Sequence, residues 1–150
     1  MRLQRQGIDE CQLATIAMLA DVPLQKIRTR ALELTQTATW TSYFVTPSAL
    51  RLKSFWSVMS ILCGEYGIRM TLPDTDTGVT PGEAPTINLS GRGQITIIWN
   101  TDAAHAMAYE SGLVYDGNAT EPMLWDTWLS KEANKYKQCG IKSIIVSPCR

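Results

Sequence analysis

The sequence predicts an α+β fold in which helices come first along the chain and antiparallel strands follow. Apolar residues recur with a helical period between Asp9 and Gly64. After Gly67 the period changes to two, and short strand-like runs alternate with turns rich in Gly, Ser and Asn. Helices that precede strands, rather than alternating with them, favour N-terminal helices packed on a C-terminal antiparallel β-sheet.

Length and composition fit one domain with a sizeable core. The chain has 150 residues, so we expect a single domain over 1–150, and 45% of the residues are hydrophobic. Lys and Arg total 14, as do Asp and Glu, so no net charge attracts nucleic acid or an anionic membrane. The apolar runs are too short to span a bilayer, and the residues after Met1 lack the apolar core of a signal peptide. We therefore expect a cytoplasmic protein that binds neither nucleic acid nor membranes.

The four cysteines do not form a metal-binding or thioredoxin-like motif. They are Cys11, Cys63, Cys139 and Cys149, and no two of them are spaced as Cys-x-x-Cys. We expect no metal and no cofactor. In a reducing compartment all four would remain free thiols.

The first helix is expected to begin after Asp9. Asp is a favourable N-cap, and Gln12 lies at the capping-box spacing from it. The pattern stops at the turn Asp21-Val22-Pro23. The apolar face of this helix consists of Leu13, Ile16, Ala17 and Ala20.

Two more helices are predicted, separated by a loop over residues 35–45. The third helix should start near Thr46-Pro47, where Pro occupies the first helical position, and end at Gly64 or Gly67. The buried face of the second helix is Leu24, Ile27, Ala31 and Leu34, and that of the third is Phe55, Val58, Met59 and Leu62.

The second half of the chain predicts short strands, with one late helix at Trp125–Ala133. Ser111-Gly112 is a hairpin-length connection, and residues 73–85 form a surface loop by composition. The predicted strands are Ile68–Leu72, Thr86–Leu89, Ile95–Trp99, His105–Glu110, Leu113–Asp116 and Lys142–Ser147.

Cys11 is the candidate nucleophile. With Asp9 as N-cap it would be the second helical residue, where its sulfur lies among unpaired backbone N–H groups at the positive end of the helix. That setting favours the thiolate, which is the nucleophilic form of cysteine. The carboxylates of Asp9 and Glu10 would partly oppose the effect.

His105 is the only histidine in the chain, and it opens a predicted strand. A thiolate–imidazolium pair needs one such group, and the imidazole needs an acceptor on its other nitrogen. Asp116 and Asn118 both lie within hairpin reach of His105. Asp116 is closer in register and the stronger acceptor, so it is preferred.

A side-chain amide shortly before the nucleophile would complete an oxyanion site with the Cys11 backbone N–H. Gln6 and Gln4 both qualify by position, and Gln6 is preferred.

These motifs resemble the C39-like cysteine peptidase group of the papain-like fold. The first match is residues 6–23 (QGIDECQLATIAMLADVP), with an upstream Gln, an acidic residue before Cys and a small, apolar helix. The second is residues 104–116 (AHAMAYESGLVYD), in which a His begins one strand and an Asp ends the next. The resemblance implies a papain-like thiol hydrolase acting on a peptide or isopeptide bond of a protein or peptide substrate. It also brings an association with phages and mobile elements.

Three positions depart from the family pattern. Gln12 and Ala104 stand where Gly is usual, and Gly117 stands where Pro is usual. Gln12, Ala104 and Trp40 are the expected substrate contacts, although Trp40 is equally well explained by burial under the third helix. The departures leave two alternatives open. One is a catalytically altered scaffold that serves as a binding module or inhibitor, and the other is an acyl transferase or deamidase with the same site.

Overall fold

A computed structural model of the chain describes residues 1–73, 78–132 and 140–150. Among these residues, four α-helices precede the sheet and a fifth lies between its strands. A 3₁₀ turn at Ser48–Leu50 lies between the third and fourth helices, and another at Pro81–Thr86 precedes the first strand. The helices are α1 (Cys11–Ala20), α2 (Leu24–Thr35), α3 (Trp40–Val45), α4 (Phe55–Glu65) and α5 (Trp125–Lys131).

The described strands form one five-stranded sheet in the order β4-β3-β2-β1-β5, and all pairs are antiparallel. The last strand of the chain therefore returns to pair with the first. The strands are β1 (Arg92–Trp99), β2 (Ala104–Glu110), β3 (Leu113–Tyr115), β4 (Met123–Leu124) and β5 (Ile141–Pro148). The α+β class expected from the sequence is confirmed.

The sheet is covered on both faces. On one face α1 packs on β2, and its residues Leu13 to Leu19 are buried with the inner sides of α2 and α4. On the other face the side chains of β1 alternate into a second cluster with Trp125 and Trp128. Because α1 lies across the middle strands, the positive end of this helix is held close to the sheet.

Helix α1 begins differently from the expectation. Asp9 is not the N-cap: it has a left-handed backbone (φ +59°), and the N-cap position is held by Glu10 without a side-chain cap. The Glu10 carboxylate turns back instead and accepts a hydrogen bond from the Gly7 N–H at 2.7 Å. Cys11 is therefore the first helical residue, not the second.

The prediction for residues 35–64 was wrong at two points. The expected loop contains α3, whose N-cap Thr39 accepts a hydrogen bond from Ser42 N. No α-helix starts at Thr46-Pro47: Pro47 only precedes the 3₁₀ turn Ser48–Leu50, and α4 begins after the N-cap Ser54. Helix α4 ends at Glu65, close to the predicted glycines. The side-chain caps Thr39 and Ser54 mark where α3 and α4 begin, whereas the apolar period indicates only which face of a helix is buried.

Four of the predicted strands are confirmed as β1, β2, β3 and β5, with no end point shifted by more than three residues. The hairpin is also confirmed, since Ser111 and Gly112 both have positive φ, the conformation of a tight two-residue turn. The predicted strand Ile68–Leu72 contributes only a single bridge, from Met70 to Cys149. The prediction of a strand at Thr86–Leu89 is wrong, because Thr86 is the last residue of the Pro-rich 3₁₀ turn.

Parts of three other predictions fall on residues outside the described ones. These are residues 74–77 of the predicted surface loop, Ala133 at the end of the predicted late helix, and Cys139 among the expected free thiols. Among the described residues, no helix has the length and apolarity needed to cross a bilayer. The same residues contain no cluster of three or more His, Cys, Asp or Glu placed to hold a metal ion.

Candidate active site

Cys11 lies half-buried at the first position of α1, where backbone N–H groups have no partner within the helix. Its own carbonyl accepts a hydrogen bond from Thr15 Oγ1 at 2.8 Å, so the first turn is well formed. The thiol therefore lies at the positive end of a helix that is itself fixed on the sheet. This position stabilises a negative charge on sulfur.

The charge of Glu10 next to Cys11 is neutralised by Arg28 of α2. Both guanidinium donors Nε and Nη2 bond the Glu10 carboxylate, which is only 5% exposed. The hydrogen bond from Arg28 lowers the pKa of Glu10 despite the opposing effect of burial. The sequence suggested that Glu10 opposes a thiolate, but the ion pair largely removes that opposition. Nothing in the helical spacing of Arg28 pointed to this contact.

His105 lies on β2 beyond the point where β3 is paired with it. The last pair of the β2–β3 hairpin is Ala108 with Tyr115, so β3 ends three residues short of His105. The imidazole is buried, and the Cys11 thiol is close enough to interact with it and to raise its pKa. Its Nε2 bonds Asp116 Oδ1 at 2.8 Å, which leaves Nδ1 as the nitrogen for the thiol.

Asp116 follows directly after β3, and its two carboxylate oxygens accept three hydrogen bonds. Oδ1 accepts from His105 and from the backbone N–H of Asn118 at 2.9 Å, and Oδ2 accepts from Trp128 Nε1 at 2.9 Å. The carboxylate is 1% exposed, so each bond acts away from bulk water. Between the two candidate acceptors, Asp116 contacts the imidazole, whereas the Asn118 backbone orients Asp116.

The buried pair His105–Asp116 favours the charged form of both groups. Burial opposes protonation of His105, but hydrogen bonds to Asp116 and Cys11 raise its pKa to about 9. Burial also works against ionised Asp116, yet the bonds from His105 and Trp128 lower its pKa. The imidazolium is therefore the resting form near neutral pH.

The two candidate oxyanion residues have different surroundings. The Gln4 amide is used structurally, since it donates to Val22 O and accepts from Leu24 N across the α1–α2 turn. Gln6 is anchored beside the Asp116 turn by a backbone hydrogen bond from its N–H to Gly117 O at 3.0 Å. Its side-chain oxygen is buried against Gly117 without a hydrogen-bond partner. The geometry therefore leaves Gln6, and not Gln4, with an uncommitted amide near the pair.

Gln12 is held away from solvent at the interface of α1 and β1. Its amide exchanges hydrogen bonds with Gln94, and Gln94 donates a further one to Thr96 Oγ1. Gln12 is 4% exposed but still contributes to the wall of the cavity described below. Its bulk is thus taken up by the helix–sheet contact.

The other two expected substrate contacts differ from each other. Ala104 is exposed and lines the cavity immediately before His105. Trp40 is 3% exposed, does not line that cavity, and donates its indole N–H to Asp9 O at 2.7 Å. Trp40 therefore supports the turn before the nucleophile, which agrees with the burial alternative and not with the rim of a cleft.

Cys11 opens into a cavity of about 800 Å³ between the helical layer and the sheet. This is within the usual range for ligand sites. One wall comes from α3, α4 and the segment between them, and the other from β1, β2 and β5. The lining side chains besides Cys11, Gln12 and Ala104 are Asp9, Phe44, Arg51, Phe55, Trp56, Pro73, Thr96, Ile98, Asp102, Ala103, Ala106 and Ile145.

The sequence alone did not identify several residues of this site. Trp128 is buried in the core, and its indole N–H also fixes Asp116. The one available signal was its helical spacing from Trp125, with which it stacks at 5.5 Å. The part of the aromatic wall formed by Phe55 and Trp56 had no signal, because periodicity does not reveal which side of a helix faces a cavity.

Comparisons with known proteins leave the function to be argued from this geometry. No protein-family model matches the chain, and no curated protein is significantly similar to it in sequence.

Proposed function

We propose that this protein is a papain-like cysteine hydrolase that cleaves a peptide or isopeptide amide through Cys11, His105 and Asp116. The observation that carries the proposal is the His105 imidazole, which bonds the buried Asp116 carboxylate and interacts with the Cys11 thiol, at a helix start that opens into a cavity. Nucleophile, base and orienting group are the three parts that such catalysis needs.

The first half of the reaction forms an acyl-enzyme. The Cys11 thiolate attacks the scissile carbonyl carbon, and the carbonyl π electrons move to oxygen. The Cys11 N–H and the Gln6 amide donate hydrogen bonds to that oxyanion. As the oxyanion collapses, the C–N bond breaks and His105 Nδ1 gives its proton to the departing amine. A thioester on Cys11 and a neutral imidazole remain.

The second half releases the acid. The neutral His105 removes a proton from a water molecule, and the oxygen attacks the thioester carbonyl. The C–S bond then breaks, which restores the Cys11 thiolate and the His105 imidazolium. Asp116 keeps its charge throughout and holds His105 Nε2–H, so that Nδ1 is always the nitrogen that exchanges the proton.

The departures that favoured a binding module lose much of their weight in this geometry. Gln12 was the main objection because a bulky neighbour narrows a cleft, but its side chain is engaged by Gln94. Ala104 adds only a methyl group to the cavity wall. A free Cys11 thiol is required, which fits the reducing, cytoplasmic setting expected from the sequence.

The test is cleavage of a peptide library derived from a whole proteome, with new termini identified by mass spectrometry. We expect wild-type protein to generate termini that are absent with Cys11→Ala and strongly reduced with His105→Ala. Cys63→Ala is the matched control, since this buried thiol lies in the helical core, and it should preserve cleavage. Identical cleavage by wild type and Cys11→Ala, or none by either, would refute the proposal.

A further inference from the structure

A group of exposed apolar side chains adjoins the cavity on the helical side. We call Phe44, Val45, Leu50, Leu52 and Trp56 the apolar rim, and these residues are between 39% and 74% exposed. Isolated exposed apolar residues are ordinary, but a cluster beside a cavity is typical of an interaction site. The mechanism above uses none of these side chains.

The apolar rim is continuous with the cavity. Phe44 and Trp56 belong to both, and their rings contact Phe55 edge-on at 5.9 and 4.9 Å. Ala104 and Ala106 on β2 supply small side chains on the opposite wall. Large rings on one side and small residues on the other leave room for a bulky apolar group near Cys11.

The charged residues of the rim segment itself have one sign, and of the two carboxylates that line the cavity, Asp9 and Asp102, the second is paired with Lys142 at 2.9 Å. The sequence contains no Asp or Glu from residue 34 to residue 64, whereas Arg51 and Lys53 lie within the rim segment. Arg51 is fixed in place, since it donates to Thr46 O at 2.7 Å and Phe44 O at 2.6 Å and lies 5.1 Å from the centre of the Tyr43 ring. It also lines the cavity. A guanidinium held in this way is suited to a carboxylate.

We propose that the apolar rim and the cavity together bind a polypeptide segment of the substrate that carries bulky apolar side chains beside an acidic residue. This inference rests on the proposed function and names the substrate class of the same site. The competing occupant of a basic, apolar surface is an anionic membrane. Membrane recognition by basic clusters typically uses about four to eight Lys or Arg, and this segment has two.

The test uses three hexapeptides that end in the same Ala fluoromethyl ketone, which alkylates a catalytic thiol. The first contains Phe and Leu with one Glu, the second contains Phe and Leu with one Lys, and the third contains Ser with one Glu. We expect the first to modify Cys11 about tenfold or more faster than the third, and several-fold faster than the second at low salt. Equal rates for the first and third probes, or a second probe as fast as the first, would overturn the proposal.

Two variants show whether the preference comes from the apolar rim. In the double variant Leu52→Ser/Trp56→Ala the advantage of the first probe should fall several-fold, and Leu124→Ala, which changes an exposed leucine outside the cavity, should preserve it. An unchanged advantage in the double variant would refute the assignment. Wild type should not sediment with phosphatidylcholine–phosphatidylserine vesicles. Sedimentation that the double variant loses would assign the rim to membranes instead.

Iodoacetamide separates this proposal from the proposed function, because it is too small to use the rim. Iodoacetamide should alkylate Cys11 equally fast in wild type and in Leu124→Ala. Fast alkylation with no preference among the peptides refutes the substrate class alone. Slow alkylation of Cys11 in wild type refutes the catalytic site, and the substrate class with it.

Discussion

Replacement of Asp116 by Asn should destabilise the protein in a pH-dependent way. The substitution keeps the size of the side chain but removes the charge that His105 Nε2 contacts at 2.8 Å. It also puts an NH₂ group where one of three donors now finds an oxygen. The loss should be largest where His105 is an imidazolium.

The magnitude follows from the pKa of His105, which is raised from 6.5 to about 9 in the folded protein. That difference corresponds to about 3 kcal/mol of stability. Because the folded-state pKa is the higher one, the contribution is complete below pH 6.5 and is lost as the pH rises through about 9. We expect Asp116→Asn to lower the free energy of unfolding by about 3 kcal/mol at pH 6 and by about 1 kcal/mol at pH 10, the size of a neutral hydrogen bond.

Urea unfolding followed by tryptophan fluorescence measures this difference at each pH. Tyrosines and the other cysteines titrate in both proteins, so their contributions cancel between wild type and variant. The single histidine also gives one imidazole signal in NMR, and its pKa should fall below 6.5 in the variant because burial remains. A stability difference that stays constant from pH 6 to pH 10 would refute the reasoning.

Two further predictions concern the surroundings of the nucleophile. Arg28→Met leaves Glu10 buried without its cation, so it should lower the free energy of unfolding in urea by about 1–3 kcal/mol and slow the alkylation of Cys11. The control Arg30→Met, on the exposed face, should change neither quantity. Equal effects of the two variants would contradict the role of the ion pair. Gln6→Ala should lower kcat about 10²–10³-fold with little change in KM or stability, since its side-chain oxygen has no partner to lose. Gln4→Ala should instead lower the stability with little change in kcat, because the Gln4 amide bonds the backbone of Val22 and Leu24. A reversed result would exchange their roles.

The parts of the fold and site that were predicted from sequence depend on local chemistry. The hairpin of β2 and β3 follows from a two-residue turn whose positive φ angles fix the register. The register argument for Asp116 was wrong, because this register extended along β2 would place Asn118 opposite His105; Asp116 reaches the imidazole because β3 ends at Tyr115. The start of α1 was predicted to within one residue from Asp9 as N-cap, although Glu10 holds that position, and the prediction placed Cys11 at the positive end of a helix.

The remaining features depend on contacts between distant parts of the chain. Gln12 and Gln94 form a hydrogen bond although they are 82 positions apart in the sequence. The spacing of residues within α1 cannot show that one of its polar side chains finds a hydrogen-bond partner on the sheet. Likewise, the Trp40–Val45 segment is rich in β-branched and aromatic residues, which have weak helix propensity. It forms α3 because Thr39 caps it and because Trp40 and Tyr43 are buried in the core.

The central claim, that Cys11 and His105 form a reactive ion pair, is tested most directly by site-resolved alkylation with iodoacetamide between pH 5 and pH 9. Cys63 and Cys149 are internal references, since burial and a smaller effect of Cys149 raise the pKa of Cys63 to about 11, and burial raises the pKa of Cys149. At pH 6 we expect Cys11 to react at least about tenfold faster than either, and His105→Ala to abolish most of that advantage. A Cys11 that reacts no faster than the reference thiols, or equally fast without His105, would contradict the claim.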